Sequence, residues 1–560
     1  MNGTLDLSPV DWGMLGVYFA AIIAIGLYTR RAVSSSGDFF LAGRSMPAWV
    51  TGLAFISANL GALEIIGGAA NGAQYGAAAV HFYWLGAVPA MVFLGVVMMP
   101  FYYSTRVHSV SEYLRRRFNS QTHLLNSIVF AVAQVLLAGV NLFALALIVK
   151  LLIGWPLWVS IVLSAVFVLI YITLGGLAGA IYGEVLQFFV ILAGLVPIVV
   201  IGLHLVGGFD GLRAGIHDTD LLKTWQGSQV GHWNNPLGDW FGLAMGEGFV
   251  LAFGYWTTNF AEVQRSLAAK DLNAARRTPI IAAFPKMLLP LFTVVPGMVA
   301  LILIPKLGKP GGPTFNDVIP EMMQRYLPNG VLGIALTGLL AAFMAGMAAN
   351  ISGFNTVFTY DIWKPYLKKG RSDRHYLTAG RVATVAGIAV SVGAAFIAAG
   401  YSNIQNYIQL LFSFFNSPLF ATFLLGMFWK RVTPWAGFFG LLAGTAGAAT
   451  AHLSAYHIAY FYPGGHLDPT HATINAQMSN FYSAVVAFLV DVVVTVAVTL
   501  CTRPRPEAEL KGLVWGVPDP DSPDAEAAKQ RQPWWRSPVV LGSTVLGLTG
   551  ALSVWLVVAV

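Results

Sequence analysis

Charge is scarce in this sequence. Asp, Glu, Lys and Arg make up 10% of its 560 residues, against about a quarter in soluble globular domains, which argues against a water-soluble enzyme or binding module. There is a single cysteine, Cys501, too few for a disulfide framework, a Cys-rich zinc site or a cysteine-held iron–sulfur cluster. No GxxxxGKS or GxxxxGKT phosphate loop occurs, so ATP-driven pumping has no residues to rest on. HExxH and GxSxG are also missing, and the eleven histidines are scattered, which leaves metalloprotease and esterase chemistry without a constellation. The reading is of a non-enzyme. The net charge of +7 is informative only loop by loop, and no nucleic-acid partner is expected.

What the sequence has is apolar length. Hydrophobic residues make up 56% of the chain, in blocks long enough for the about 20 residues that cross a hydrocarbon core of about 30 Å. Fourteen such blocks can be drawn: 9–29, 46–76, 80–104, 122–152, 156–174, 177–206, 237–266, 275–304, 329–360, 376–400, 403–429, 434–455, 480–502 and 537–559. The expected class is an all-α polytopic membrane protein in the lipid bilayer of the plasma membrane. With the N-terminus outside, 25 of the 32 Lys and Arg fall in inner loops and six in outer ones. That asymmetry is the positive-inside rule, and it puts both termini outside.

Two blocks differ from simple anchors. In 46–76, Ser57-Ala58-Asn59-Leu60-Gly61 precedes Glu64 and a run of glycines. In 237–266, Gly246-Glu247-Gly248 precedes Gly254-Tyr255-Trp256-Thr257-Thr258-Asn259. The two lie five blocks apart, and an odd number of spans per half inverts the second half. Paired discontinuous helices in inverted halves are the sequence signature of a secondary transporter's central site; glycine packing alone is the plainer explanation of either block. The expected organisation is a first helix and inner loop (1–45), inverted repeat 1 (46–206), an outer loop (207–236) and inverted repeat 2 (237–431). Two peripheral helices (432–502), a cytoplasmic linker (503–536) and a last helix (537–560) complete it.

Ionisable residues inside spans are expensive and therefore functional candidates. They are Glu64, Glu184, Glu247, Lys286 and Asp491. Lys286 is expected to pair with Glu64 or to lie in a solvated cavity. Glu184 suits either a proton carrier or a structural hydrogen bond. Glu247 is compatible with gate, site and structural roles, and Asp491, outside the repeats, with a structural one.

Six sequence blocks in order then carry a resemblance. They are Asp38–Pro47 (DFFLAGRSMP), Ser57–Gly61 (SANLG), Ser111–Phe118 (SEYLRRRF), Val263–Lys270 (VQRSLAAK), Val357–Ile362 (VFTYDI) and Phe428–Val432 (FWKRV). With these the sequence resembles the sodium:solute symporter family, and within it the sodium–glucose cotransporter branch, over about residues 10–455. The resemblance implies 14 helices around an inverted five-plus-five core. It also implies a sugar site in which Asn59, Lys286 and Gln409 hydrogen-bond the pyranose. Asn259 matches a further polar site residue, Tyr255 and Trp256 an aromatic wall, and Phe82 an outer-gate aromatic. Glu64 stands where sugar transporters carry Gln or His, and Tyr83 where they carry Glu, which separates the solute from glucose itself.

The family's shared sodium site maps to the carbonyls of Ser57, Leu60 and Ala342 and to two hydroxyl positions. Those positions here are Ala345 and Gly346, which have no side-chain oxygen, whereas a hard cation needs oxygen ligands. A shifted register reaches Ser352 only by breaking the Thr356–Asp361 match. No cofactor is expected beyond sodium or a proton as coupling ion, and no metal beyond sodium. The expected function is symport of a small polar solute, a sugar or polyol, by alternating access. The alternatives are proton-coupled or facilitative transport of such solutes, transport of a monocarboxylate or amino acid, and a solute sensor without flux. The sequence does not set the oligomeric state.

Overall fold

Apolar blocks that lie in hydrocarbon must satisfy every backbone N–H and C=O within the segment, which leaves helix as the regular structure for this chain. The computed structural model describes residues 7–30, 42–105, 107–225, 239–461, 476–519 and 533–559. Among them the regular structure is helical, and the one strand-like pairing is an isolated bridge between Met46 and Ala269. Residues 38–41 of the first family block and parts of the expected loops 207–236 and 456–479 and linker 503–536 lie outside the described residues.

The principal helices are α1 (Pro9–Arg30), α2 (Ala48–Asn59), α3 (Leu63–Val80), α4 (Phe82–Ser104), α5 (Ser120–Ile153), α6 (Leu157–Val206), α7 (242–258) and α8 (Phe260–Leu267). They continue as α9 (Leu272–Leu303), α10 (Val331–Leu367), α11 (Asp373–Ala399), α12 (Ile404–Phe428), α13 (Pro434–Phe461), α14 (Ala476–Cys501) and α15 (Pro538–Ala559). Among the described residues, eleven helices are long and apolar enough to cross a membrane, or twelve with the bent pair α2–α3 as one span. The other expected spans are helical but short or interrupted: Leu157–Leu169 within α6, and 237–266, which is split at Asn259. The boundary expected near residue 175 is not a break in the helix, because α6 runs for 50 residues. As a straight rod that is about 75 Å, more than twice the hydrocarbon core.

Side-chain caps start the helices that leave the loops. Asn119 Oδ1 accepts from Thr122 N at 2.8 Å, Asp271 Oδ1 from Ala274 N at 2.7 Å and Asn403 Oδ1 from Gln405 N at 2.9 Å. Each removes one orphan donor of a helix N-terminus. The loops gather in two sets. In one, Asp11 Oδ1 accepts from Gly330 N and Gly333 N, His81 meets the Thr224 carbonyl, and Asn316 donates to the Tyr401 carbonyl. In the other, Met46 pairs with Ala268 and Lys270, and Tyr113 and Arg116 meet the segment after α14 through Leu513 and Arg505.

Burial separates centre from rim. In α10, 89% of the apolar window is buried, against 28% in α1 and 17% in α15. The interrupted elements α2–α3 and α7–α8 lie against α10, α9, α12 and α5, so the unwound backbone sits in protein rather than lipid.

Candidate functional site

The site begins with the two helix interruptions. α2 ends at Asn59, Leu60 leaves helical geometry (φ −70°, ψ 43°), and α3 restarts at Leu63 with its axis bent by 58°. The freed groups are re-satisfied locally: Leu60 N donates to the Ile56 and Ser57 carbonyls and Gly61 N to the Asn59 carbonyl. Ala62 N instead donates 2.9 Å to Asn141 Oδ1 of α5. In the second element the chain is extended only at Asn259 (φ −72°, ψ 111°), whose Oδ1 caps α8 by accepting from Ala261 N at 3.0 Å. The glycines at 246 and 248 do not form that break. A Cβ at Gly246 would meet Phe481 at 2.7 Å, and one at Gly248 would meet Leu85 at 2.9 Å, so they permit close packing.

Between the interrupted elements lies a small cavity of about 40 Å³, lined by Glu64, Phe82, Tyr83, Glu247, Trp256 and Gln409 among others. Lys286 of α9, 1% exposed, is anchored beside it. Its Nζ lies 2.5 Å from Glu64 Oε1 and donates 2.6 Å to Asn59 Oδ1. The ammonium also faces the rings of Trp256 at 4.8 Å and Tyr83 at 5.1 Å, where the ring quadrupole favours a cation. A buried lysine with a carboxylate, an amide and two aromatic faces is a fully partnered charge, which is how a buried ion becomes tolerable. Tyr83 is held in turn by Thr293 Oγ1 at 2.9 Å.

The polar chain continues away from the cavity. Asn59 Nδ2 donates to Tyr255 OH at 3.1 Å, and Tyr255 OH donates to Glu262 Oε1 at 2.7 Å. On the opposite wall Gln409 Nε2 donates to Glu247 Oε2 at 2.9 Å. The Oε1 atoms of Gln405 and Gln409 are buried with no partner. Phe412 stacks on Tyr255 at 4.5 Å, and Phe82 lies 6.0 Å from Phe481. The chamber combines polar groups with open hydrogen-bonding capacity and aromatic walls, which is the make-up of a small-molecule site.

The Sodium:solute symporter family matches residues 39–444. The chain belongs to the sodium:solute symporter family. It is similar to the sodium/glucose cotransporter 4 of Danio rerio, at 28% identity over 91% of this chain and 81% of the relative. It is likewise similar to the sodium/glucose cotransporter of Vibrio parahaemolyticus, at 29% over 78% and 84%. A solved Na⁺-coupled sialic acid symporter in a substrate-bound outward-open state superposes with a TM-score of 0.73, over 89% of this chain and 99% of that one. At 20% identity, that superposition speaks for the fold. The protein is thus a multi-pass secondary transporter of this symporter family and not an enzyme.

The positions expected to form a cation site differ from the chamber. Ser57, Leu60, Ala342, Ala345 and Gly346 are all buried. The space is taken by Asn141: a Cβ on Gly346 would meet its Oδ1 at 2.5 Å, and one on Gly61 would run into the same atom. The amide oxygen that wedges there is already accepting from Ala62 N. Ser57 Oγ is buried with no partner, and Ser352 donates to Gln264 Oε1 at 3.2 Å. These residues do not fit the expected pair of hydroxyl ligands.

Other symporter residues fall out differently. Glu184, expected as a proton carrier or a structural group, receives two guanidinium hydrogen bonds from Arg265, both residues fully buried. That pairing favours the structural role. Arg265 is therefore a buried ion-pair partner. Arg117 is similar: it is buried and donates to the carbonyls of Gly426, Trp429 and Val432. Asn259 faces Gln134 at 3.2 Å and caps α8; it is not among the residues lining the chamber. Asp491 accepts from Thr422 at 2.7 Å and Thr495 at 3.0 Å, a structural tie between α12 and α14. Glu262, Asn141 and Gln405 are the polar residues that sequence reasoning missed. Glu262 lies in 237–266 and meets the same criterion as Glu64 and Glu247, so its charge was an available signal. For the neutral amides there was only polarity within an apolar span.

Proposed function

We propose that the protein is a symporter of the plasma membrane that moves an uncharged polyhydroxylated solute, a sugar or polyol. The observation that carries this is the chamber itself. Hydroxyl groups on a pyranose rim both donate and accept; the free Oε1 atoms of Gln405 and Gln409 and the Glu64 and Glu247 carboxylates accept, and the Tyr83 hydroxyl on the same lining can donate. Trp256, Tyr255 and Phe82 suit the apolar C–H faces of a ring. A monocarboxylate fits less well, because Glu64 and Glu247 set two carboxylates against one lysine.

Transport follows by alternating access in an inverted five-plus-five core (46–206 and 237–431) within fourteen crossings, both termini outside. Phe82 closes the outer side over the solute. Substrate binding contacts both interrupted elements at once, and it can shift the two-state equilibrium only by its differential affinity for the two states. Kinship implies sodium coupling. The alanine and glycine at 345 and 346, with Asn141 filling the space, support a weakened or lost sodium step.

Uptake by proteoliposomes of D-glucose, D-galactose and myo-inositol, with sodium and proton gradients imposed separately, tests this. Saturable uptake of at least one is expected. Uptake of lactate or alanine in place of all three sinks the solute assignment, and binding without counterflow turns the protein into a sensor.

A further inference from the structure

We infer that Glu262 is the site of a coupling proton, linked to the solute chamber by the relay Glu262–Tyr255–Asn59–Lys286–Glu64. The inference rests on the symporter reading above and names its coupling ion and the group that carries it.

Glu262 lies in the first turn of α8, just past the second helix interruption, and is 2% exposed. One carboxylate oxygen accepts from Tyr255 OH at 2.7 Å; the other, Oε2, has no hydrogen-bond partner. The residue lines a second, smaller cavity with Asn141, Gly346, Asn350, Ala58 and Asn59. That cavity adjoins the place where the family's cation hydroxyls are missing. A buried carboxylate oxygen without a partner is costly as an anion and has a lone pair free for a proton. Asn141 and Asn350 supply neutral amides beside it. A monovalent cation is thus replaced by the smallest one, bound to a carboxylate that sodium-site hydroxyls would have made unnecessary.

The groups that act on Glu262 are Tyr255 from α7, Asn59 from α2, Lys286 from α9 and Arg265 from its own helix, and Arg265 is already engaged by Glu184. Neither α2 nor the 331–357 stretch of α10 carries a titratable residue. From α4, Tyr102 and Tyr103 are committed to the carbonyls of Thr257 and Ala269. The short helix Val110–Arg117, which also touches α8, holds Glu112 in a cluster with His108 and Arg116.

Tyr255 lines both cavities. With Glu262 ionised, the phenol donates to it and Asn59 donates to the phenol, leaving Asn59 Oδ1 for Lys286. A proton on Oε2 neutralises the acceptor of this chain and weakens the hold on Tyr255. It so alters the positions of Asn59 and Lys286 and, through the ion pair with Lys286, of Glu64, which lines the chamber. The proton arrives from the side to which the chamber is open and leaves to the opposite solution when access reverses. Tyr255 and Asn59 are positioning residues in this scheme.

Two measurements on the full-length protein test it. Infrared difference spectra of the membrane-reconstituted protein, taken as the pH is lowered without solute, should show a protonated-carboxyl C=O band that is lost in Glu262→Gln and shifted but present in Glu262→Asp. A band unchanged in Glu262→Gln, or no such band, overturns the proton site. In proteoliposomes carrying D-glucose, D-galactose or myo-inositol, the ratio of proton-gradient-driven uptake to exchange should fall by about tenfold or more in Glu262→Gln. Tyr255→Phe should lower the same ratio while keeping the infrared band. Sodium-driven accumulation that is indifferent to the proton gradient and to Glu262→Gln overturns the coupling. If none of the three solutes moves but the band behaves as expected, the solute assignment fails and the proton site stands.

Discussion

The two sides of the first helix break make an instructive pair. Towards the chamber, Asn59, Glu64 and Lys286 are locked to one another and to aromatic faces. Towards the cation position, within the same few residues of chain, Ser57 Oγ has no partner and the opposing helix offers Ala345 and Gly346. On the side proposed for the solute the polar cluster is complete, while on the side proposed for the ion an amide wedge lies where hydroxyl ligands were expected. On the proposed function, recognition and coupling use different faces of one unwound segment.

The largest effect should come from breaking the locked side. Lys286→Met leaves Glu64 buried without its cation, and removal of one member of such a pair costs about 3–5 kcal/mol. Thermal unfolding of the solubilised protein should show the loss, together with abolished uptake. A Met variant with wild-type stability would show that the Glu64–Lys286 pair does not hold the fold together. Gln409→Ala removes a chamber hydrogen-bonding group and the donor to Glu247. Solute affinity should fall by about 1.5–3 kcal/mol, read from binding isotherms, and an unchanged affinity removes Gln409 from the site.

The ion side can be probed by rebuilding it. Gly346→Ser alone overpacks against Asn141 and should destabilise by about 1–3 kcal/mol. Adding Asn141→Ala should recover most of that, and the further change Ala345→Ser should bring out sodium-stimulated uptake. Sodium stimulation already present in the wild type would erase the contrast between the two sides. The smallest effect belongs to Glu112 in the loop helix Val110–Arg117. Burial acts to raise its pKa but is outweighed by the His108 ring and backbone hydrogen bonds and by Arg116, so it is lowered to about 2. A carboxylate depressed in the folded state contributes stability above its unfolded pKa and loses it as pH falls through the folded one. Between about pH 4.5 and about pH 2, wild type should lose about 1 kcal/mol more than Glu112→Gln, after allowance for partial solvent screening.

Much of this was legible in the residues, for reasons that differ from one residue to another. The long apolar blocks announced helices because hydrocarbon leaves the backbone no other partner. Lys286 and Glu64 were each conspicuous as charges in apolar surroundings, although only their approach to 2.5 Å chose the ion pair over a solvated cavity. Glu184 was conspicuous in the same way, and its two readings, carrier or structural group, stayed open in the sequence because its partner Arg265 lies 81 residues away. Asn259 looked like a solute ligand by its neighbours in sequence, and the helix start at Phe260 turned its side chain to capping.

By itself the sequence determined the solvent in which this protein folds, the interruption after Asn59, and the absence of a side-chain oxygen at 345 and 346. All of these are properties of residue type and local order. Tertiary structure alone decided which buried charges cancel, that Asn141 occupies the gap between Gly61 and Gly346, and that Tyr255 joins two cavities. Electrostatic and packing energies depend on distance through space, and those partners lie between seven and 227 residues apart along the chain.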